Sequence, residues 1–370
     1  MRTITYAALA VFLFTLVFPL PANAQKTAQG SLGYGVAAHP WSLDDRDFRE
    51  ARDLGVTFLR MDFVWVDFEL TRDASFIFSK YDRFVALAKA NGLQIVALIP
   101  GEVPPWLRPS GGSWNTVPSG TAFNDFVSQF GQFVYATVGH YSNDVTYFEI
   151  WNEANIKVFW DDSEAQLLRS SNTYNRGQAI TKYVTLLKEA YTQAKKANPN
   201  CKIISTGLAA NDYDYVRGMY ENGAKGYFDI VGLHPYFWHG PTLNYDPDYV
   251  DWNSPYYEEF PKISMVRDQM VANGDEAKKI FITELGVSSA SGPQGPTTEQ
   301  IQADRLRRVF EKIQKDPGYP YVEAVMWYQL RDYSSQASQC FGLFLMDYTK
   351  RQMYFAYIAL TRGTLTVRRR

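Results

Sequence analysis

The chain has 370 residues, of which 46% are hydrophobic and 21% charged, and its formal net charge is −2. This length allows one large α/β barrel or two modest domains. The hydrophobic fraction is that of a globular protein and argues against a disordered chain or a fibre. The charge balance gives no indication of nucleic acid or an acidic membrane as a partner.

The N-terminal segment has the pattern of a secretory signal peptide. Arg2 supplies a positive charge, residues 7–18 form an apolar run too short to span a bilayer comfortably, and residues 22–24 (Ala-Asn-Ala) fit the small-x-small cleavage pattern. Polar residues begin at once with Gln25, which argues against a membrane anchor. We therefore expect residues 1–24 to be removed and the mature protein to be a soluble monomer, secreted or periplasmic, with no stable membrane insertion.

After this segment, strand-like and helix-like stretches alternate eight times. The strand candidates are rich in Ile, Val and Phe and apolar on both faces, as covered parallel strands are; they are residues 32–38, 58–63, 93–100, 145–153, 202–209, 228–236, 279–286 and 321–330. The helix candidates have amphipathic spacing, and several are followed by Gly, Asn or Pro; they are residues 44–54, 78–91, 122–141, 178–197, 213–222, 256–273, 298–316 and 350–361.

Eight βα units in a chain of this length predict a single (β/α)8 TIM barrel, with residues 25–370 as one catalytic domain. The alternative is a doubly wound sheet of six or seven strands. Such a sheet would normally show a Gly-rich phosphate-binding turn after its first strand. Gly33 and Gly35 lie inside the first strand candidate, and the third glycine of that motif is missing.

The cysteines and histidines predict neither a disulfide nor a metal site. A barrel would place Cys201 at the start of a strand and Cys340 in a loop beyond a strand end. Those positions lie on opposite faces, farther apart than the limit of roughly 7 Å between Cα atoms for a disulfide. We therefore expect two free thiols. The four histidines are scattered and no cluster has metal-ligand spacing, so we expect no metal and no other cofactor.

Two carboxylates stand at the ends of apolar stretches. Glu153 ends the run Phe-Glu-Ile-Trp-Asn-Glu, and Glu284 lies in the run Ile-Phe-Ile-Thr-Glu-Leu-Gly. In a barrel the chemistry lies where the strands end, so the ends of the fourth and seventh strands should bring both side chains together across the mouth. A sugar hydrolase needs such a pair, and a separation of about 5–5.5 Å gives retention of configuration. The alternative is a structural ion pair of one carboxylate with Arg60.

These motifs resemble those of the glycoside hydrolases of clan A, the 4/7 retaining superfamily, over essentially the whole mature chain. The resemblance rests on Trp-Asn-Glu (151–153) on the fourth strand and Thr-Glu-Leu-Gly (283–286) on the seventh. The phrase Phe-Glu-Ile-Trp-Asn-Glu is most similar to family 39 and its exopolysaccharide-cleaving relatives, with the cellulase-like enzymes of family 5 next. The resemblance implies a retaining O-glycosyl hydrolase with a carbohydrate substrate.

The resemblance and the charges together suggest a role for each residue. Glu284, ionised near Arg60, would be the nucleophile. Glu153 would be the acid/base, because a neighbouring negative charge raises its pKa and keeps it protonated. The resemblance implies that Arg60 bonds to the nucleophile, that Tyr236 holds it, and that His234 lines the subsite.

Three further residues complete the predicted site. Asn152 would bond to the 2-hydroxyl of the sugar being cleaved. The resemblance implies that Trp327 forms the aromatic floor beneath the bound sugar. His39, at the end of the first strand, would line the subsite, with a purely structural histidine as the alternative.

Tryptophans are concentrated where strands end and βα loops begin. All nine are expected there and none in a helix: Trp41, Trp65, Trp106, Trp114, Trp151, Trp160, Trp238, Trp252 and Trp327. Flat aromatic faces suit the C–H faces of sugar rings. We predict substrate contacts for Trp41, Trp65, Trp106, Trp160 and Trp238, with loop packing as the alternative for any single one.

The loops after the third, fourth and sixth strands are long and carry several of these tryptophans, which indicates the walls of an extended groove. The sequence therefore predicts an exported retaining glycosidase that cleaves a β-linked polysaccharide or oligosaccharide by double displacement and acts within the chain. An exo-acting β-xylosidase or β-glucosidase is the close alternative. A non-catalytic carbohydrate-binding barrel is disfavoured because both carboxylates are present.

Overall fold

The computed structural model describes residues 32–363, apart from residues 100, 169–173, 238–245, 256, 289–290, 293–294, 297, 316–317 and 336–339. Eight parallel strands alternate with eight helices. The strands are β1 (Gly33–Ala38), β2 (Phe58–Asp62), β3 (Gln94–Ile99), β4 (Tyr147–Ile150), β5 (Lys202–Ile204, continued by Leu208–Ala209), β6 (Ile230–His234), β7 (Lys279–Leu285) and β8 (Val322–Tyr328).

Each strand is followed by one long helix. The helices are α1 (Asp45–Asp53), α2 (Ser79–Ala90), α3 (Gly120–His140), α4 (Gln178–Ala197), α5 (Tyr213–Glu221), α6 (Ile263–Ala272), α7 (Glu299–Lys315) and α8 (Gln352–Thr361). Neighbouring strands pair in parallel from β1 to β8, and β8 pairs with β1, where Gly35 lies opposite Met326. The sheet is therefore closed, and the predicted (β/α)8 barrel is confirmed.

Helix α1 begins with a local capping motif. At the start of α1 the carboxylate of Asp44 accepts hydrogen bonds from the backbone N–H groups of Arg46 and Asp47, and the carboxylate of Asp47 accepts from the N–H of Asp44. This reciprocal capping box satisfies N–H groups that have no partner inside the helix and contributes about 1 kcal/mol.

The βα loops at the mouth of the barrel contain short helices and strand pairs. A four-residue helix, Trp65–Phe68, follows β2, and the 3-10 helix Pro105–Leu107 follows β3. The hairpin of Ala165–Leu168 with Tyr174–Gly177 follows β4, the 3-10 helix Phe260–Lys262 precedes α6, and the short pair Ser291–Gly292 and Gly295–Pro296 follows β7.

The two larger apolar clusters of the described residues lie between the barrel and the helices and inside the barrel. The inner one is an apolar cluster near the N-terminal ends of the strands, formed by Phe58, Val96, Ile204, Ile230, Phe281, Ala324 and Met326. Gly35 on β1 closes this cluster, because a Cβ there would lie 2.9 Å from the Cβ of Phe58 and 2.9 Å from the Cγ of Met326. The barrel is thus filled at its base and open for polar side chains above.

Three predicted elements differ from the structure by an interruption or by more than two residues at one end. The predicted strand 145–153 ends at Ile150, because Trp151 has φ of 72° and leaves the extended conformation. The predicted strand 202–209 is interrupted between Ile204 and Leu208. The predicted helix 256–273 begins only at Ile263, after a 3-10 turn that contains a proline.

Both cysteines are buried and neither forms a disulfide, as the sequence predicted. Over the residues that the structure describes, none of the helices combines the length and the apolar character that crossing a bilayer requires. The proposed signal peptide, residues 1–24, lies outside the described residues.

Candidate active site

A layer of polar side chains lies directly above the apolar cluster inside the barrel. Side chains on a strand alternate between its faces, so residues two apart point the same way. The inward positions above the cluster are therefore Arg60 on β2, Glu149 on β4, His234 on β6, Thr283 on β7 and Tyr328 on β8. This polar layer is held at the C-terminal ends of rigid strands, where a barrel carries its chemistry.

Glu153 reaches this layer through an unusual backbone at the end of β4. Trp151 and Glu153 both have positive φ, 72° and 43°, a left-handed conformation that is costly for residues other than glycine. The N–H of Glu153 donates to the carbonyl of Gly207 at 3.0 Å, which fixes the turn. Asn152, between the two, turns its Oδ1 to Arg60, whose Nη2 donates to it at 2.9 Å.

Glu284 reaches the same layer through an irregularity in β7. Ile282 lies opposite Val325 and Leu285 opposite Trp327, so three residues of β7 span two of β8. Such a bulge adds one residue to a strand and re-aims its side chains. As a result two consecutive side chains, Thr283 and Glu284, both bond to groups inside the barrel.

The two carboxylates converge on His234. Its Nδ1 lies 2.8 Å from Oε1 of Glu153 and 3.8 Å from Oε2 of Glu284. One oxygen of each carboxylate lies within 4.8 Å of the other and of the imidazole. The side chains of Glu153 and Glu284 remain 11% and 12% exposed, whereas His234 is fully buried. Both carboxylates can therefore be reached from the mouth.

The surroundings of Glu284 favour its ionised form. Nη1 of Arg60 donates to Oε1 at 2.5 Å, and the hydroxyl of Tyr236 donates to Oε2 at 3.0 Å. Burial by itself would raise the pKa of Glu284, but the neighbouring His234 and Arg60 side chains and the Tyr236 hydrogen bond outweigh it, and the pKa lies below its ordinary value. Glu284 is thus held as an oriented carboxylate.

Glu153 is shifted in the opposite direction. Burial raises the pKa of Glu153 and the negative charge of Glu284 adds to this, while the neighbouring His234 and Arg60 side chains only partly oppose them. Burial would lower the pKa of His234, but Glu284 and Glu153 outweigh it and the pKa is raised. The raised pKa suits Glu153 to act as an acid, and the lowered pKa suits Glu284 to act as a nucleophile.

The structure brings five of the predicted residues together around the carboxylates: Arg60, Asn152, His234, Tyr236 and, one step away, His39. The Nδ1 of His39 lies 2.7 Å from Oδ2 of Asp62, and its Nε2 lies 2.9 Å from the hydroxyl of Tyr328. Trp41 stacks on the His39 ring with centroids 4.3 Å apart and is 61% exposed. Trp41 therefore presents a free aromatic face beside the mouth.

Two tryptophans predicted to contact substrate lie in the hydrophobic core instead. Trp65 is fully buried at the start of the short helix after β2, where it stacks on Phe133 and donates from Nε1 to Glu69. Trp160 is fully buried against Trp151, with ring centroids 5.1 Å apart. Neither ring has a face left for a sugar, and the expectation that no tryptophan lies in a helix is wrong as well.

Trp327, predicted to form the aromatic floor beneath the sugar, also lies in the core. It points out of the barrel toward Phe310 on α7 and is fully buried there. Its neighbour Tyr328 has the inward side of β8 and contacts His39. A shift of one residue along a strand reverses the face, so the aromatic side chain at the mouth is Tyr328. Trp106 is partly buried in the loop after β3, and Trp238 lies outside the described residues.

Sequence reasoning missed Glu149, Thr283 and Tyr328. Glu149 is fully buried and accepts from Nε of Arg60 at 2.6 Å and from the hydroxyl of Thr283 at 2.7 Å. A signal was available, because a glutamate in the middle of an apolar strand must have partners. Gly207 allows this packing, since a Cβ there would overlap His234 and lie 2.5 Å from Oε1 of Glu149.

Of the His, Cys, Asp and Glu side chains that the structure describes, Glu153, His234 and Glu284 are grouped closely enough to hold a metal ion. The guanidinium of Arg60 already bonds to Glu284, however, and its charge opposes a divalent cation at that oxygen. The arrangement suits covalent acid/base chemistry at an acetal carbon better than metal binding.

Structural relatives share the fold at low sequence identity. A family 39 glycoside hydrolase from the gut symbiont Bacteroides cellulosilyticus WH2 is 20% identical with a TM-score of 0.69, covering 90% of this chain and 64% of its own length. A monomeric β-xylosidase from Caulobacter crescentus CB15 is 16% identical with a TM-score of 0.62, covering 89% and 67%. Xylanase 10B from Thermotoga maritima is 18% identical with a TM-score of 0.57, covering 91% and 96%.

The present chain thus spans less than two thirds of the family 39 structure and nearly all of the xylanase. No curated protein sequence matches it significantly. The model of glycosyl hydrolase family 10 matches residues 61–360, which include both carboxylates and strands β3 to β8. The clan predicted from the sequence is confirmed, together with a likeness to family 39. The chain belongs to glycosyl hydrolase family 10, among the retaining enzymes of clan A.

Proposed function

We propose that this hydrolase cleaves a β-linked polysaccharide within the chain by double displacement, with Glu284 as nucleophile and Glu153 as acid/base. The observation that carries the proposal is the pair of carboxylate oxygens within 4.8 Å of each other in unlike surroundings. That distance is in keeping with the carboxyl separation of about 5–5.5 Å in retaining enzymes and is shorter than the roughly 6.5–9.5 Å of inverting ones.

In the first step a carboxylate oxygen of Glu284 forms a bond to the anomeric carbon. The bond from that carbon to the leaving oxygen breaks, and its electron pair takes the proton of Glu153. Arg60 and Tyr236 each bond one oxygen of Glu284 and so fix the plane of the attacking carboxylate. Holding the reacting group in one orientation removes entropy from the barrier.

In the second step water attacks the anomeric carbon and Glu153 accepts its proton. The bond to Glu284 breaks and returns the carboxylate, so one water is consumed for each glycosidic bond. While Glu284 is esterified it carries no negative charge, which lowers the pKa of Glu153 and makes it a carboxylate able to act as base. The charge of Glu284 thus switches Glu153 from an acid in the first step to a base in the second.

Exposed aromatic faces support action within a chain. Trp41 after β1, Trp114 after β3 and Trp252 after β6 are 61%, 41% and 56% exposed. They lie on three separate loops, so one sugar ring cannot cover all of them. We infer several subsites, and a xylan is the first substrate to test, because relatives of the fold are described as xylanases and a β-xylosidase.

A chain-length series of β-1,4-linked xylo-oligosaccharides tests this proposal. The specificity constant should rise with length until the subsites are filled, because remote binding energy can be used at the reacting bond. Trp41→Ala and Trp252→Ala should reduce it more for long substrates than for an aryl monosaccharide. Trp160→Ala is the matched control, since that buried ring should affect stability instead.

The outcome also separates the alternatives. Release of single residues from the chain end, with no dependence on length, would make the protein an exo-acting β-glycosidase. If all xylan-based substrates fail, the same series built on glucan, mannan or bacterial exopolysaccharide identifies the sugar.

Export is part of the proposal. Its support is the charged N-terminus, the short apolar run and the Ala-Asn-Ala site in residues 1–24. Expressed with its full sequence in a bacterial host, the protein should leave the cytoplasm with Gln25 as its first residue. N-terminal sequencing checks this, and an intact Met1 on the exported protein would contradict it.

A further inference from the structure

Glu149 is connected to both catalytic carboxylates through other side chains and does not face the substrate. It is fully buried on β4. Its Oε2 accepts from Nε of Arg60 at 2.6 Å, and the same guanidinium donates to Glu284. Its Oε1 accepts from the hydroxyl of Thr283 at 2.7 Å and lies 3.8 Å from Nε2 of His234. The double-displacement steps above make no use of this side chain.

The hydrogen-bond directions around Thr283 follow from the chemistry of a carboxylate. A carboxylate only accepts, so the single hydroxyl proton of Thr283 must point to Glu149. The Thr283 oxygen is then an acceptor for its other neighbour, Nε2 of His234 at 3.1 Å. Nε2 must therefore carry a proton.

We propose that Glu149 is a positioning residue that fixes the Nε2-protonated tautomer of His234 through Thr283, so that Nδ1 faces Glu153 without a proton of its own. The inference rests on the proposed roles of Glu153 and Glu284. With Nδ1 bare, the 2.8 Å bond between Nδ1 and Oε1 of Glu153 needs the proton that Glu153 supplies. In the other tautomer Nδ1 would bring its own proton and stabilise Glu153 as a carboxylate, which cannot act as an acid.

The charges around Glu149 act in the same direction. Among the described residues, the titratable and charged groups that interact with it are Arg60 on β2, His234 on β6 and Tyr183 on α4. Glu149 neutralises part of the Arg60 charge, which would otherwise pull the proton off Glu153. Both routes, the hydrogen-bond chain and the charge, keep the proton that lies between Glu153 and His234 in place.

Glu149→Gln tests the inference because it changes the hydrogen-bond direction without changing the shape. The amide oxygen must accept from Arg60, so the amide NH2 faces Thr283 and reverses its hydroxyl toward His234. Nδ1 then gains the proton and Glu153 loses its function as an acid. General acid catalysis contributes about 10²- to 10⁴-fold. The loss of kcat/KM should therefore be at least about 10-fold greater for an unactivated xylo-oligosaccharide than for a dinitrophenyl glycoside.

Two controls separate this effect from a loss of packing. Glu149→Asp keeps a carboxylate that only accepts, so the ratio between the two substrates should stay near that of the wild type even if both rates fall. Glu69→Gln changes another buried carboxylate, bonded to Trp65 outside the site, and should leave the ratio unchanged. Equal losses on both substrates in Glu149→Gln would overturn the inference.

Nitrogen NMR of the wild-type protein with 15N-labelled histidine gives an answer that needs no activity. The neutral imidazole of His234, assigned by the signal that His234→Gln removes, should show a protonated Nε2 and a bare Nδ1. A neutral Nδ1–H form, or an imidazolium protonated at both nitrogens at the pH of the activity assay, would overturn the inference. If the protein cleaved no glycoside, the proposed function would fail while this measurement still decided the tautomer.

Discussion

The apolar cluster inside the barrel (the lower layer) and the polar layer above it (the upper layer) are built on the same strands but are stabilised in different ways. On five strands an apolar residue that belongs to the lower layer or packs against it is followed two to four positions later by a polar one: Phe58 by Arg60, Tyr147 by Glu149, Ile230 by His234, Phe281 by Thr283 and Met326 by Tyr328. The lower layer is held by burial of apolar surface, which is not directional. The upper layer is held by ion pairs and hydrogen bonds, each of which needs its partner.

The difference shows how one fold supplies both stability and reactivity. A closely packed apolar base tolerates changes of shape that preserve volume. In the upper layer three glutamates share one guanidinium and one imidazole, so removing any single group leaves another uncompensated. Variants in the lower layer should therefore change stability, and variants in the upper layer should change chemistry.

The largest expected effect is at the two carboxylates. Glu284→Gln should lower kcat by about 10⁴-fold or more, because it removes the nucleophile. Glu153→Gln should lower it less on an activated aryl glycoside, since that leaving group needs no proton. Azide, which needs no base, should restore turnover in Glu153→Gln with a product of retained configuration, and should not give that product in Glu284→Gln. An equal response of both variants would show that the roles are assigned wrongly.

The second largest expected effect is a loss of folding stability when the lower layer is changed. Phe281 packs against Phe58 and Tyr147, with ring centroids 5.7 and 5.3 Å apart. Phe281→Ala should lower the free energy of unfolding by about 3–5 kcal/mol through the cavity it leaves. Phe281→Leu, which leaves a smaller cavity, is the graded control. Denaturant unfolding measures the loss, and kcat of the folded variants should stay within a few-fold of the wild type. A collapse of kcat in the folded protein would mean that the layers are not independent.

The smallest effect is the pH dependence of kcat/KM. Glu284 must be ionised, and its pKa is lowered, so activity should be lost only as pH falls below the ordinary range of a glutamate, about 4.3. Glu153 must be protonated, and its pKa is raised, so activity should be lost as pH rises through a value above that range. Glu153→Gln, assayed on an activated glycoside, should lack the alkaline limb. If activity of Glu153→Gln still falls at high pH, the alkaline limb belongs to another group and its assignment to Glu153 is wrong.

The sequence predicted the fold and most of the candidate site. Eight alternations of buried strand and amphipathic helix are a local pattern, and closure of the barrel follows from their number. Glu153 and Glu284 were found because a charged side chain at the end of an apolar strand is unlike its surroundings. Arg60, Tyr236 and His234 were found through the resemblance to the motifs of clan A. Glu149 is equally unlike its apolar neighbours. It was missed because it lies in the middle of the strand, whereas the search for catalytic residues was directed at strand ends.

What the tertiary structure alone decided is which way each side chain points. The bulge in β7 and the positive φ angles after β4 turn Glu284 and Glu153 inward, and neither can be read from a period of two. The same limit explains why Trp327 was preferred over Tyr328, since one residue of register separates the core from the mouth. Composition fixes which residues are available, but the local path of the backbone decides which of them meet.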